Sequence, residues 1–198
     1  MRLYTAVVSV LLVVSAMGFA SELTIGESIP SSDVEMLNVD GEMITIGDIK
    51  GTNGTLVIFS CNHCPWVKAW EKRIASIGNS YQKKGFGVIV INSNDPSQYE
   101  EDSYAEMKKR SDKLGFNFPY AVDANSEIAK DYGASKTPEV FLFNGENILV
   151  YKGAIDDNAQ HEDQVSSHYL KDALDATIQK KKPDLTETKA LGCGIKFR

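Results

Sequence analysis

Two cysteines three residues apart, in the run Cys61-Asn62-His63-Cys64-Pro65, are the side chains of this sequence best suited to chemistry. A thiolate attacks a disulfide, and a neighbouring thiol then displaces the mixed disulfide, so such a pair shuttles between dithiol and disulfide. The residues on either side are those that would position it. Leu56-Val57-Ile58-Phe59 reads as a strand buried on both faces. Val67, Trp70, Ile74, Ile77 and Tyr81 form one stripe of an amphipathic helix. A strand running into a helix is expected to put Cys61 at the helix N-terminus, with Cys64 beneath it on the same face. Unpaired N–H groups and the positive dipole end there favour thiolate over thiol. On that geometry Cys61 attacks and Cys64 resolves.

The same spacing also serves as half of a zinc site, and as an inert small-ring disulfide. A structural zinc site needs four ligands, and beyond the pair the chain has Cys193 and the histidines His63, His161 and His168. A ring this small removes little entropy from the unfolded chain, so a purely structural disulfide gains little. The strand before the motif and the helix after it favour the redox reading.

Further along, Val88 to Ile91 gives a second buried strand, and Ser97 to Leu114 a weaker helix stopped by Gly115. Pro119 to Val122 is a short extended piece, and Ser126 to Tyr132 a short helix ended by Gly133. Two hairpins are expected: Val34–Val39 with Met43–Ile46 around Asp40-Gly41, and Val140–Phe143 with Ile148–Tyr151 around Asn144 to Asn147. Leu170 to Ile178 marks a last helix that Ser166 or Ser167 would cap. The order predicts one α/β domain with a central mixed sheet, over residues 21–182, followed by a polar tail at 183–198.

The chain has 21 Lys+Arg against 27 Asp+Glu, a net charge of −6, which argues against nucleic acid as a partner. Residues 1–20 show a positive start at Arg2, an apolar run from Val7 to Val14 and small residues before a cut after Ala20, the pattern of a signal peptide. Export to the periplasm or the medium is expected, with no membrane span after cleavage, and it would place the cysteines where disulfides persist.

With these residues in view, the chain resembles the thioredoxin-fold superfamily, in its redoxin or peroxiredoxin-like branch of proteins with a CNHCP motif. The resemblance runs through Phe59 to Lys68, Ile91 to Asp95, Phe118-Pro119-Tyr120, Thr137-Pro138, Gly153 to Asp157 and the tail Gly192 to Phe197. It implies a thioredoxin-like fold with an N-terminal β-hairpin extension. It also implies a cis Thr137–Pro138 bond facing the cysteines, where Thr137 backbone groups can present an extended substrate. Pro65 and His63 would support the pair, His63 by stabilising a nearby thiolate. Cys193, the odd thiol, is a candidate third redox group. Trp66 reads as core or rim packing, and Asp156 and Asp157 as a solvated turn.

Departures from the family pattern rank its activities. Peroxiredoxins place a hydroxyl three residues before the reactive cysteine, where this chain has Ile58, and a late arginine where Lys136 stands near Thr137. The buried acid of thioredoxin-type reductases falls at Thr55, and a cysteine two before the proline is again Lys136. The expected function is an exported thiol-disulfide oxidoreductase acting on protein thiols and disulfides, served by an unidentified electron donor or acceptor. No cofactor or resident metal is called for, since the pair itself carries two electrons. A thiol peroxidase is the alternative, and a copper carrier using Cys61, Cys64 and a histidine the second.

Overall fold

The structure, a computed structural model, describes residues 22–198; the signal peptide expected at 1–20 lies outside the described residues. Among the described residues no helix is long and apolar enough to cross a membrane.

The apolar run before the motif becomes β3 (Gly54–Phe59), every residue of which is buried. It lies between β4 (Phe86–Asn92), parallel to it, and β7 (Glu139–Asn144), antiparallel. The sheet extends through β8 (Leu149–Gly153) on one side and β5 (Tyr120–Val122) on the other. Beyond β5 come β1 (Met36–Asn38) and β2 (Met43–Ile44), giving the order β2-β1-β5-β4-β3-β7-β8. This is the mixed sheet expected, and both predicted hairpins are present. The N-terminal hairpin joins the main sheet through β1–β5 pairing.

Side chains of a strand alternate between faces, and β3 divides its apolar residues accordingly. Leu56 and Ile58 pack with Trp70, Ile74 and Tyr81 of α1 (Pro65–Gln82), Met107 of α2 (Tyr104–Leu114), and Leu170 and Leu174 of α4 (Tyr169–Ile178). Val57 and Phe59 face the opposite side, with Ile128, Ala129 and Tyr132 of α3 (Glu127–Tyr132). Helices on both faces hold β3 rigid, so the residue following Phe59 leaves the sheet at a fixed place.

Three local expectations are corrected. The helix predicted from Ser97 begins only at Tyr104; Asp95 instead bonds the Ser97 amide at 2.9 Å, and Glu100–Asp102 forms one 3-10 turn. Aspartate bonding to nearby backbone competes with helix in this way. The last helix is capped by neither serine: His168 is its N-cap residue, and Ser166 is held by Asp157. Asp156 is not a solvated turn residue. It is buried, accepting from Trp70 Nε1 at 2.8 Å and Arg73 Nη1 at 2.5 Å, while Asp157 is exposed as expected. The two donors stand three residues apart on α1, so one carboxylate clamps that helix to the segment after β8.

Residues 183–198 run back over the domain. Thr188 bonds Tyr151 and the Ala154 amide, and Glu187 reaches the buried Lys152. A short strand β9 (Cys193–Gly194) pairs antiparallel with β6 (Lys136–Thr137), and Arg198 ends the chain on the Asn94 carbonyl.

Asp156→Ala is expected to leave the Arg73 guanidinium buried and unpaired, costing about 3–5 kcal/mol. Urea unfolding with an unchanged slope and a lower midpoint checks this.

Candidate active site

β3 ends at Phe59, and the Ser60 amide still bonds Ile91 of β4 before the chain turns through Cys61-Asn62-His63. Helix α1 then starts at Pro65. Proline is well suited to that first helical position, because its fixed φ is helical and the N–H it lacks would have had no partner. The residue at the N-cap is therefore Cys64, whose carbonyl accepts the first helical bond from Lys68 at 3.0 Å. The helix end expected at Cys61 lies three residues further on.

The thiols meet over the Thr137–Pro138 turn, whose peptide bond is cis. Thr137 Oγ1 lies 3.2 Å from Cys61 Sγ, and the Thr137 carbonyl 3.2 Å from Cys64 Sγ. The Glu139 carboxylate fixes this turn by accepting from the Ser135 and Lys136 amides at 2.9 Å each. Cys61 is 2% exposed and Cys64 0%. Cys193, on β9, packs against the cluster these two form with Val67 and keeps partial exposure.

Charge within this group is unevenly placed. Cys61 donates to Cys64, and with Cys193 as a second donor and the Val67 amide beside it the Cys64 thiol is held well below the ordinary thiol range. Burial opposes this but is outweighed. Cys61 moves the other way, because it donates to Cys64, is buried and faces the Asp102 carboxylate. Burial and donation to Cys64 push the Cys193 thiol up as well. These contacts lower the Cys64 thiol and raise the Cys61 thiol, and the two titrate as one pair.

Asp102 is the residue that the sequence reading missed. It is 1% exposed, and its carboxylate accepts from the Asn62 amide at 2.7 Å, the His63 amide at 3.2 Å, His63 Nδ1 at 2.6 Å and Asn94 Nδ2 at 2.8 Å. Four donors fill the acceptor positions of a carboxylate, so Asp102 positions the loop rather than shuttling protons. The His63 ring, fixed at Nδ1, also stacks on Tyr99 at 3.8 Å. Arg110 donates to the Asn62 carbonyl and pairs with Glu71, and Tyr120 OH bonds Asn62 Oδ1 at 3.0 Å. A metal would find Cys61, His63 and Asp102, with one ligand atom each within 4.8 Å of the others, although His63 and Asp102 are already bonded to one another. Trp66 is at the rim, 36% exposed and stacked on Trp70. Surface hollows of about 500 and 610 Å³ lie along α4 and residues 180–185, and one of about 460 Å³ beside Ser135, Lys136 and Glu139; a hollow touching Cys61 holds about 10 Å³, space for at most one water.

The model of the AhpC/TSA family matches residues 25–152, well over half of the sequence. The chain belongs to the AhpC/TSA family. An uncharacterized conserved protein from Geobacillus kaustophilus superposes with a TM-score of 0.82 at 35% identity, over 88% of this chain and 93% of that one. A thioredoxin-like protein solved in its oxidized form superposes at 0.60 and 15% identity, over 79% and 97%, a likeness of fold. The thiol-disulfide oxidoreductase ResA of Geobacillus thermodenitrificans is 22% identical over 180 residues, 83% of this chain and 96% of that protein. As a member of the AhpC/TSA family the chain is an oxidoreductase with a thioredoxin-like fold, as its resemblance implied.

Two outcomes are expected of this site. Asp102→Ala strips four donors of their acceptor and should cost roughly 3 kcal/mol, with the His63 ring resonances broadening in NMR spectra. Cys64 is more acidic folded than unfolded, so the stability it confers is complete above the unfolded thiol pKa, about 8.5, and lost as pH falls through the folded value. Below pH ~8, where Cys61 is protonated in both states, melting of the reduced protein should fall more steeply with acid than that of Cys64→Ala.

Proposed function

We propose that this protein catalyses thiol-disulfide exchange on protein substrates through the Cys61–Cys64 pair. The observation that carries the reading is geometric: two adjacent thiols meet over the cis Thr137–Pro138 turn, with Thr137 Oγ1 3.2 Å from one sulfur and the Thr137 carbonyl 3.2 Å from the other. Cys61 attacks. As its S–S bond to the substrate forms, its proton passes along the existing hydrogen bond to Cys64, and the substrate's other sulfur leaves as thiolate. Thr55 stands where an acid would take that proton, so the neighbouring Cys64 sulfur receives it. It then gives up that proton and attacks Cys61 Sγ, expelling the second substrate sulfur. The pair ends as a disulfide, and its two electrons reside on the released thiols. Run backwards, the same steps insert a disulfide, the partner's potential setting the direction.

His63 and Pro65 support the pair by position, the first tied to Asp102 and the second starting α1. Thr137 and Pro138 present the edge that an extended segment would pair with. Exposed Trp66 and Tyr99 beside the motif suit a protein partner. The pattern of residues 1–20 supports export to the periplasm or the medium. A redox domain over 21–182 with its tail at 183–198 fits the same reading.

Peroxide reduction is the second reading, favoured by the family and by one contact. The Thr137 hydroxyl at 3.2 Å from Cys61 provides a donor that Ile58 cannot. Arg110, by contrast, is committed to Glu71 and the loop carbonyl.

Insulin-disulfide reduction should proceed with the wild-type chain and fall to the uncatalysed rate in Cys61→Ser. An unchanged rate in the variant rejects the assignment, and catalytic loss of thiols to hydrogen peroxide would move the protein to the second reading.

A further inference from the structure

We infer that Cys193 is a third redox thiol that exchanges with Cys64, and that the C-terminal strand is a tethered substrate carrying the disulfide between the buried pair and the surface. The inference rests on the proposed exchange at Cys61 and Cys64 and names the first partner of that site.

Three independent features of the structure carry it. First, the edge at which an extended substrate would pair is already filled by this chain. Lys136 pairs with Gly194 and Thr137 with Cys193, and the Ile195 amide bonds the Ser135 carbonyl at 3.0 Å. This is β-strand addition made in cis. Second, that register delivers sulfur to sulfur: Cys193 packs against the buried cluster of Cys61, Cys64 and Val67, and its thiol donates to Cys64. Third, the strand is cut to fit. A Cβ at Gly192 would stand 2.3 Å from the Thr137 carbonyl oxygen, so only glycine lets the chain come this close beside the cysteine. The strand is also anchored beyond the cysteine. The Lys196 amide bonds Asn94 Oδ1 at 2.8 Å, and Arg198 grips the Asn94 carbonyl.

Exposure gives the arrangement its use. Cys61 and Cys64 are sealed, whereas Cys193 is partly exposed. In the oxidised chain, the Cys193 thiolate attacks Cys64 Sγ of the Cys61–Cys64 disulfide. The Cys64–Cys193 bond forms, the Cys61–Cys64 bond breaks, and Cys61 takes up the proton that Cys193 released. No outside oxidant is consumed. The disulfide now includes the thiol that an external partner can reach.

Disulfide mapping by mass spectrometry tests this. Cys61→Ser is equilibrated in a buffer of reduced and oxidised glutathione, the latter supplying the oxidising equivalent. A tethered thiol competes at millimolar effective concentration or higher, so Cys64–Cys193 should exceed glutathionylated Cys64 by about tenfold. Gly192→Val, which cannot seat the strand, should lower the Cys64–Cys193 yield several-fold in the same background. Cys64 found free or glutathionylated with Cys193 free overturns the inference. Should Cys61→Ser fail to fold, the oxidised wild-type chain is acid-quenched and mapped. A Cys64–Cys193 fraction with Cys61 alkylated supports the exchange, and Cys61–Cys64 alone refutes it. Insulin reduction is read separately: a wild-type chain inactive on insulin that still forms Cys64–Cys193 fails the proposed function and not this exchange.

Discussion

A sulfur atom that carries negative charge inside a protein must be given its donors by the fold, because burial alone drives the proton back on. Here Cys64 is fully buried, yet its neighbours hold its thiol below the ordinary range. Its donors come from three separate stretches of chain: Cys61 in the loop, Val67 in the first turn of α1, and Cys193 in the tail. None of these is useful unless β3, α1 and β9 are held to within hydrogen-bond reach of one point. The two-sided packing of β3 and the Asp156 clamp on α1 serve that requirement directly.

The loop between strand and helix poses the harder problem, since it has no ladder of its own. Asp102 solves it from outside the motif. Its carboxylate collects the Asn62 and His63 amides and the His63 ring, and Asn94, just beyond β4, holds it from behind. Asn62 is tied further by Tyr120 and Arg110. The same Asn94 receives the Lys196 amide and the Arg198 side chain. The loop that carries Cys61 and the tail that carries Cys193 are therefore fixed to one residue. A displacement of either would be felt by the other through a single side chain and its carbonyl.

What could be read from the sequence divides along physical lines. Buried strands and the helix stripe depend on local patterns of apolar residues, and β3, β4, β7 and α1 lie where those patterns put them. The hairpins follow from turn chemistry and are equally local. Proline at the first helical position puts the helix end at Cys64 rather than Cys61. Asp102 and Asp156 were out of reach for a different reason. Each looks like a solvated charge in its own neighbourhood, Asp102 within Glu100-Glu101-Asp102 and Asp156 beside Asp157. Their burial is decided by partners roughly 40 and 80 residues away, and no periodicity reports that. The tail's return to β6 is likewise a long-range pairing of two-residue strands, too short for any pattern to show.

The two-residue length of β6 also bears on how such a site works. An edge strand with its partner removed exposes backbone groups that must be satisfied again. If β9 leaves, Lys136, Thr137 and the Ser135 carbonyl lose their bonds together, while Asn94 and Ser126 lose the tail beyond it. An incoming extended segment would restore the bonds to β6 and not those to Asn94. Own strand and foreign strand are thus nearly equivalent at the sulfur and unequal a few residues away, where the anchors at Lys196 and Arg198 favour the tail. On the proposed exchange, specificity would depend less on the thiol chemistry, common to any cysteine, than on how well a partner matches the glycine-flanked strand β9.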